Sequence, residues 1–409
     1  MRSTVATIAI DGIAAGGDGV GRIDRLAVFV PRTAPGDVAE VRYQLRGRLG
    51  RGEVSRLLSP SVDRVAPACP HYDGDDCGGC QIQHLAYQAQ LEAKRQIVLD
   101  AFKRIARRDV DVPPVVPSPR PWRYRSRLTL ALRRHGDRWT MGLHSRLDVN
   151  RVFDLRSCPI TDDRVVHGWS EVAAAADLLP AASALRGTVR LSGARLSLVL
   201  EGGTEWPGAG EFAGRCTSIG VVRWRPEHGE LRVMSGTDAA AGEEAFDQVN
   251  REVAERARSE LVERTLAVHP GTVVDAYAGV GRTSRLLARH GVQVTTIEVE
   301  PAATVEAAKH LQAPSRVVTG RVEDVLASAL PADVVIVNPP RAGLDARVTS
   351  ILESAARPRR LLYMSCDPAT LARDVQRLPG YQVASARAYD MFPQTAHVEV
   401  VAELVPEGA

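Results

Sequence analysis

Val273-Val274-Asp275-Ala276-Tyr277-Ala278-Gly279-Val280-Gly281 reads as a buried strand running into a glycine turn, with a helical stretch, Thr283–His290, directly after it. Downstream, Gln293–Glu298, Arg316–Thr319, Asp333–Val337 and Arg360–Met364 read as further buried strands. Helical stretches at Ala302–His310, Ala346–Ala356 and Pro368–Leu378 alternate with them. Alternation of this kind predicts a doubly wound parallel sheet. Tyr381–Ala388 and His397–Leu404 close the chain with only a short connection, which predicts an antiparallel last pair.

Ligands of such sheets bind beyond the carboxyl ends of the strands. Gly279 lets the backbone approach a ligand there, and Glu298, 23 residues after Asp275, can hold two ribose hydroxyls. Ser284 stands where the third glycine of a dinucleotide fingerprint would be. That favours a cofactor without a pyrophosphate, and S-adenosyl-L-methionine fits. Asn338-Pro339-Pro340-Arg341 ends the fourth strand at the same edge and makes Asn338 a cofactor candidate. An Asn-Pro-Pro run also fits amino-group methylation of adenine. Arg341 stands where that chemistry places an aromatic residue.

Ser365-Cys366-Asp367-Pro368 ends the fifth strand, ahead of a proline-initiated helix. A helix N-terminus favours the thiolate, so Cys366 is a candidate nucleophile with a lowered pKa. Glu399 lies in a mostly apolar closing strand, where a carboxylate is costly unless partnered. It is either a salt-bridged surface group or a general base with a raised pKa. Cysteine and carboxylate beside a methyl donor suit methylation of uracil carbon 5. Thiolate addition to carbon 6 makes carbon 5 nucleophilic, and a base then removes the carbon 5 proton.

Upstream, Ser3 to Pro60 contains short strand-like runs (Thr4–Ile10, Leu26–Val30, Val38–Leu45, Arg48–Leu57) between turns such as Gly16-Gly17-Asp18-Gly19. These predict a small β-barrel, of oligonucleotide-binding or other type. A helix is expected over His84–Arg107, with Leu91, Val98, Phe102 and Ile105 on its apolar stripe and Lys94 off it. In Arg123–Arg133, leucines alternate with Arg123, Arg125, Arg127 and Arg133, a half-buried strand whose basic face either tracks phosphates or is simply solvated. Residues 165–242 are weakly patterned. Cys69, Cys77, Cys80 and Cys158 form a four-thiolate set compatible with zinc, redox work or an iron–sulfur cluster, and Cys216 reads as core.

Composition neither announces nor excludes a nucleic-acid partner. Net charge is +3, and 52 residues are basic, of which only Lys94, Lys103 and Lys309 are lysines. Arginine here reflects compositional bias, so no single arginine identifies guanidinium chemistry. The 409 residues, 44% hydrophobic and 25% charged, carry no basic-then-apolar opening and no apolar run of about 18 residues or more. A cytoplasmic monomer with no membrane association is expected.

At the residues just described, the chain resembles the RNA uracil-5-methyltransferase family along almost its whole length. Tyr363-Met364-Ser365-Cys366-Asp367-Pro368-Ala369-Thr370-Leu371-Ala372-Arg373-Asp374 is a near copy of the family's nucleophile motif. Asp390-Met391-Phe392-Pro393-Gln394-Thr395-Ala396-His397-Val398-Glu399 resembles the segment carrying its base glutamate. Phe246-Asp247-Gln248-Val249-Asn250 looks like its cofactor-contacting segment, and Tyr277 and Glu298 match its cofactor positions. Asn338 and Asp367 depart from the family, which usually has Asp and Asn there.

Cys77–Cys80 with Gln81, His84, Tyr87 and Gln90, and Cys158-Pro159-Ile160, resemble the family's [4Fe-4S] segments, although the Cys69–Cys77 loop is longer. The resemblance implies a multidomain α/β protein with a TRAM-like, RNA-binding barrel at 1–60. A central α+β domain with the cluster spans 61–242, and a Rossmann-like methyltransferase domain spans 243–409. It implies an RNA partner, 23S ribosomal RNA first and transfer RNA as the alternative. An RNA-binding protein with a decayed active site is the non-enzymatic alternative, opposed by the presence of Cys366 and Glu399.

Overall fold

The computed structural model describes residues 4–237, 248–354 and 357–408. The expected domain boundary at 242/243, together with Ser3, Phe246, Asp247 and Ala356, lies outside the described residues.

Strands β1 (Thr4–Ile13), β2 (Gly19–Ile23), β3 (Leu26–Val30), β4 (Val38–Arg46) and β5 (Leu49–Ser59) close a barrel in the order β1-β2-β3-β5-β4. Alternating Ile8, Ile10, Val28, Val30, Ala39 and Val41 fill it. Sequence reading assigned no strand to β2, whose glycines look like turn signals. Gly21 is instead a close-approach position: a Cβ there would stand 2.3 Å from the Ala9 carbonyl oxygen.

After a short helix α1 (Pro70–Gly74), helix α2 (Tyr87–Ala101) runs into a π-turn over Phe102–Ala106. Strands β6 (Arg127–His135), β7 (Arg138–His144) and β8 (Val152–Asp154), helix α3 (Asp163–Ala174), strands β9 (Ala184–Ser192) and β10 (Arg195–Glu201), helix α4 (Ala209–Arg215) and strands β11 (Ile219–Arg225) and β12 (Arg232–Ser235) build the central domain. Its sheet has the order β12-β11-β10-β9-β6-β7-β8. Leu128, Leu130 and Leu132 are buried in β6 with α3 residues Val165, Trp169 and Val172, as the alternation predicts. The strand begins at Arg127, however, and not at Arg123. Arg123 and Arg125 give their N–H groups to the carbonyls of Pro159 and Ile160, which draws that segment off the sheet toward Cys158.

The last domain contains α5 (Arg251–Leu266), β13 (Thr272–Ala276), α6 (Arg282–Arg289), β14 (Gln293–Glu298), α7 (Pro301–Ala308), β15 (Arg316–Thr319), α8 (Val322–Ala329), β16 (Val334–Val337), α9 (Ala346–Leu352), β17 (Arg360–Ser365), α10 (Pro368–Gln376), β18 (Tyr381–Tyr389) and β19 (Glu399–Pro406). The sheet order is β15-β14-β13-β16-β17-β19-β18. The first five strands are parallel, and β19 is antiparallel to both β17 and β18. A Rossmann-like fold follows, with β17, which ends just before Cys366, directly beside the strand that starts at Glu399.

The loop between β18 and β19 is clamped by α2. Leu91, Val98 and Phe102 share one core with Leu371, Val375 and Leu378 of the methyltransferase domain. Lys94 is fully buried and ion-paired to Asp390, and its ammonium also donates to the Phe392 carbonyl at 2.9 Å. Tyr87 donates to the second Asp390 oxygen at 2.7 Å. Gln90 and Gln394 exchange two bonds of 2.9 and 3.0 Å, and the Tyr124 hydroxyl bonds the Pro393 carbonyl at 3.0 Å. Lys94, which the sequence places off the apolar stripe, is thus buried all the same: α2 is covered on two sides, and the second is polar.

Lys94→Met should strand the Asp390 charge and lower stability by about 3–5 kcal/mol, measured by denaturant unfolding. Lys94→Met/Asp390→Asn should recover part of that loss. Equal stability of wild type and Lys94→Met would contradict a buried charge pair.

Candidate active site

The turn after β13 places Tyr277, Gly279 and Gly281 at φ of 59°, 57° and 69°. A left-handed Tyr277 is strained, the kind of backbone found where a chain wraps a ligand. The cavity beyond it is lined by Gln248, Tyr277, Gly279 and Asn338, four of the five expected cofactor residues, together with Arg258, Asp275, Ile336 and Met364. Glu298, the fifth, accepts the Gly279 N–H at 2.9 Å and the Val299 and Glu300 N–H groups on its other oxygen. It braces the glycine turn. Ser284 has a role the sequence did not disclose. Its hydroxyl donates to Asp275 at 2.5 Å and accepts from Thr296 at 2.8 Å, fixing a buried carboxylate at the cavity.

Cys366 follows β17, and its half-buried thiol lies near enough to the Arg341 side chain for the guanidinium to favour the thiolate. Arg341 is positioned through Asp374, which is fully buried. Asp374 accepts the Leu344 N–H at 2.7 Å and the Tyr363 hydroxyl at 2.8 Å, which pins the 341–344 loop to α10. Sequence reading weighed Arg341 only against a stacking aromatic. Its place after two prolines at the same sheet edge was the available signal.

The expected lowering of the Cys366 pKa is not what the site produces. Burial pushes the thiol up, the adjacent Glu399 adds to this, and Arg341 pulls it back down. The Asp367 carboxylate, which stands where the family usually has Asn, also raises it but comes after these causes. Its main task is structural: it is the N-cap of α10, accepting the Ala369 and Thr370 N–H groups at 2.9 and 3.1 Å. Asp and Asn cap equally well, which accounts for the departure at this position.

Glu399 is buried among apolar neighbours, and burial alone raises its pKa to about 8. Of the two readings left open by the sequence, the structure has the buried acid. His397, just before it, is pushed below its ordinary pKa by burial and by the charge of Arg341, and its ring meets Phe392 edge-on.

The four expected metal ligands come together from three segments. Cys69 caps α1, Cys77 is buried and its backbone bridges to Ser145, Cys80 is half-buried, and Cys158 accepts the Thr161 hydroxyl at 3.2 Å. Gln83 bonds both the Cys69 N–H and the Cys80 thiol. Burial is the first cause of the raised pKa of Cys69, Cys77 (to about 11) and Cys80, and each is raised further by other thiols of the set. Among the described residues, no group of three or more His, Cys, Asp or Glu is arranged as a single-ion site. Cys216 is buried core, as expected.

Residues 315–405 match the tRNA (uracil-5-)-methyltransferase family. The chain is 30% identical to an uncharacterized RNA methyltransferase of Halalkalibacterium halodurans, covering 98% of this chain and 97% of that one. It is 33% identical to another of Thermosynechococcus vestitus, covering 97% and 96%. The structure is similar to that of Pyrococcus abyssi tRNA (uracil-54, C5)-methyltransferase in complex with S-adenosyl-L-homocysteine. The TM-score is 0.70 at 25% identity, over 98% of this chain and all of that one. Among the described residues, no helix is long and apolar enough to cross a membrane.

A carboxyl whose folded pKa lies above its unfolded value favours folding below the unfolded pKa and loses that contribution as pH rises through the folded value. Replacing Glu399 by Gln should therefore stabilise the protein increasingly from about pH 5 to above pH 8, seen as a widening difference in Tm. A difference independent of pH would show that burial does not hold this acid neutral.

Proposed function

The chain belongs to the RNA uracil-5-methyltransferase family, whose members are S-adenosylmethionine-dependent RNA methyltransferases, and we propose that it methylates carbon 5 of a uridine through a covalent adduct on Cys366. The observation carrying this reading is the meeting of a thiol, a guanidinium and a buried carboxyl beside a cavity that suits the methyl donor.

The thiol first loses its proton to solvent, with Arg341 favouring the thiolate. Sulfur then bonds to carbon 6 of the uracil, and the displaced electron pair gives an enolate with density at carbon 5. Carbon 5 takes the methyl group as its bond to the cofactor sulfur breaks, leaving S-adenosylhomocysteine. Glu399, ionised, takes the carbon 5 proton. The double bond re-forms and the thiolate leaves. Both faces of the base are needed, so the uridine must leave its stack. With a pKa of about 8, Glu399 is mostly protonated near neutral pH in the empty site, so its own proton must first pass to solvent; once ionised it is a stronger base than an ordinary carboxylate.

Gln248, Tyr277, Gly279, Glu298 and Asn338 would hold the cofactor. Asn338 can serve as a neutral hydrogen-bonding group where the family usually has a carboxylate. RNA would reach the site across the barrel. A groove there is lined by Phe29, Arg42, Gln44, Arg46 and Arg51, with Arg146 of the central domain, mixing phosphate-binding guanidiniums with a ring for stacking. A uridine of 23S ribosomal RNA is the proposed target. The Pyrococcus neighbour favours transfer RNA as the second reading. Nucleoside mass spectrometry and site mapping in a deletion strain decide between them.

Cys69, Cys77, Cys80 and Cys158 would hold a [4Fe-4S] cluster, one thiolate on each iron, which when bound would tie the cysteine loop to the segment before α3. What supports this reading is that Cys69, Cys77 and Cys80 lie near enough to other thiols of the set to be raised further by them. Anaerobically purified protein should be brown, with iron and sulfide near a 4:4 ratio. Stoichiometric zinc without iron would overturn this assignment.

With substrate RNA and methyl-labelled cofactor, Glu399→Gln should accumulate a slow, doubly labelled band on a denaturing gel, because methyl transfer proceeds but proton removal does not. Cys366→Ala should give no band and no methylation. Amino-group methylation needs no covalent step and predicts a band from neither variant. Normal turnover by Cys366→Ala would refute the mechanism.

A further inference from the structure

Of the five tryptophans, four serve the central core. Trp169, Trp206 and Trp224 are buried in it and give their indole N–H groups to the carbonyls of Leu128, Leu178 and Gly202, and Trp139 packs against it. Trp122 does none of this. It is half-buried, packs against none of the five hydrophobic cores, and its indole N–H has no acceptor among the described residues. It lines instead a pocket of about 490 Å³ with Ala68, Ser157, Cys158, Pro159 and Val166, separate from the cofactor cavity and from the barrel groove. A large ring kept out of every core adds little to the fold. With its N–H open, it suits a ligand that is apolar on its face and polar at its edge.

The segment that carries Trp122 is fixed by its neighbours. Arg123 has a left-handed backbone, with φ of 54°, a strained state for a residue with a side chain. The N–H groups of Arg123 and Arg125 go to the Pro159 and Ile160 carbonyls at 2.9 Å, and the Arg125 carbonyl accepts from Asp162 at 3.0 Å. Tyr124, between the two arginines, is buried and bonds Pro393 in the loop that leads into Glu399. The pocket therefore stands close in structure to the catalytic loop. Arg123 also lines it, paired at 3.1 Å with Asp163, and about two-thirds of each side chain is exposed. Such a pair contributes little, so a phosphate can take the guanidinium over. We propose that this pocket is a second base slot, in which an unstacked nucleobase other than the methylated uridine stacks on Trp122 while Arg123 takes the adjoining phosphate, a role that rests on the reading of RNA as substrate. An aromatic platform beside a cation is how single strands are held without regard to sequence. A strand that must give up one base from its stack is more easily kept open when a second base is held nearby.

Ultraviolet crosslinking of the whole wild-type chain to RNA from the deletion strain tests this without a substitution. Peptides carrying a nucleotide, mapped by mass spectrometry, should include the one that contains Trp122. In filter binding with the same RNA, Trp122→Ala should lose about five- to a hundredfold in affinity, the loss expected for one base–aromatic stack, and Trp122→Phe should keep most of it. Arg123→Gln should reduce the slope of log affinity against log salt by about 0.7, the share of one phosphate contact on a single strand. Crosslinks confined to the barrel groove, with Trp122→Ala binding as well as wild type, would overturn the slot and leave the pocket to an apolar side chain of a partner protein. Equal losses in Trp122→Ala and Trp122→Phe without a crosslink at Trp122 would make the ring a support for residues 123–125 and overturn its contact with RNA. Methyl incorporation into the same RNA is scored separately, so failure of the slot and failure of the methylation reading are told apart.

Discussion

The buried ion pair between Lys94 and Asp390 is the contact on which the arrangement of the site depends. It joins a helix that precedes the central sheet to a loop almost three hundred residues later, and both side chains are fully buried. Such a pair adds little net stability over an apolar pair of the same volume, but removing one member is expensive. Its effect is specificity of placement. With Asp390 fixed at one end and Glu399 opening β19 at the other, the intervening loop has few ways to run. The Gln90–Gln394 exchange selects one of them.

Around that clamp the site is organised to be nearly neutral when empty. Glu399 and the Cys366 thiol are both pushed toward their protonated forms, chiefly by burial, and Arg341 is the counterweight. The sulfonium of a bound methyl donor would bring the positive charge that favours both anions, whereas the phosphates of RNA would not. Ionisation of the two groups is thereby tied to occupancy, and a reactive thiolate is disfavoured in the empty enzyme.

Much of this was legible in the sequence because it depends on local pattern. The alternation around Val273–Gly281, the proline-initiated helix after Cys366 and the carboxylate at Glu399 each have a short-range signature, and each element formed where expected. What was not legible depends on partners distant in sequence. Lys94 reads as a polar residue off an apolar stripe, because nothing nearby reveals that a second buried face awaits it. β2 was hidden by glycines whose purpose is close packing against β1. The central strands β9 to β12 carry arginines and threonines on an outer face that blur the two-residue period. The thiol pKa ran against expectation because burial, a property of the assembled fold, outweighed the helix terminus, a property of the local sequence.

Gly17, in the turn before β2, offers a different consequence. A side chain there would press into Gln81, with Ala396 just beyond, while Ile13 and Ala34 of the barrel share a small core with Ile82, Leu85 and Ala396. The barrel, the cysteine loop and the loop before Glu399 thus meet at one seam. A module attached in this way is not a bead on a string that recombination can exchange freely. Any foreign barrel would have to reproduce the seam as well as the nucleic-acid surface, and so the three parts are expected to have been inherited together.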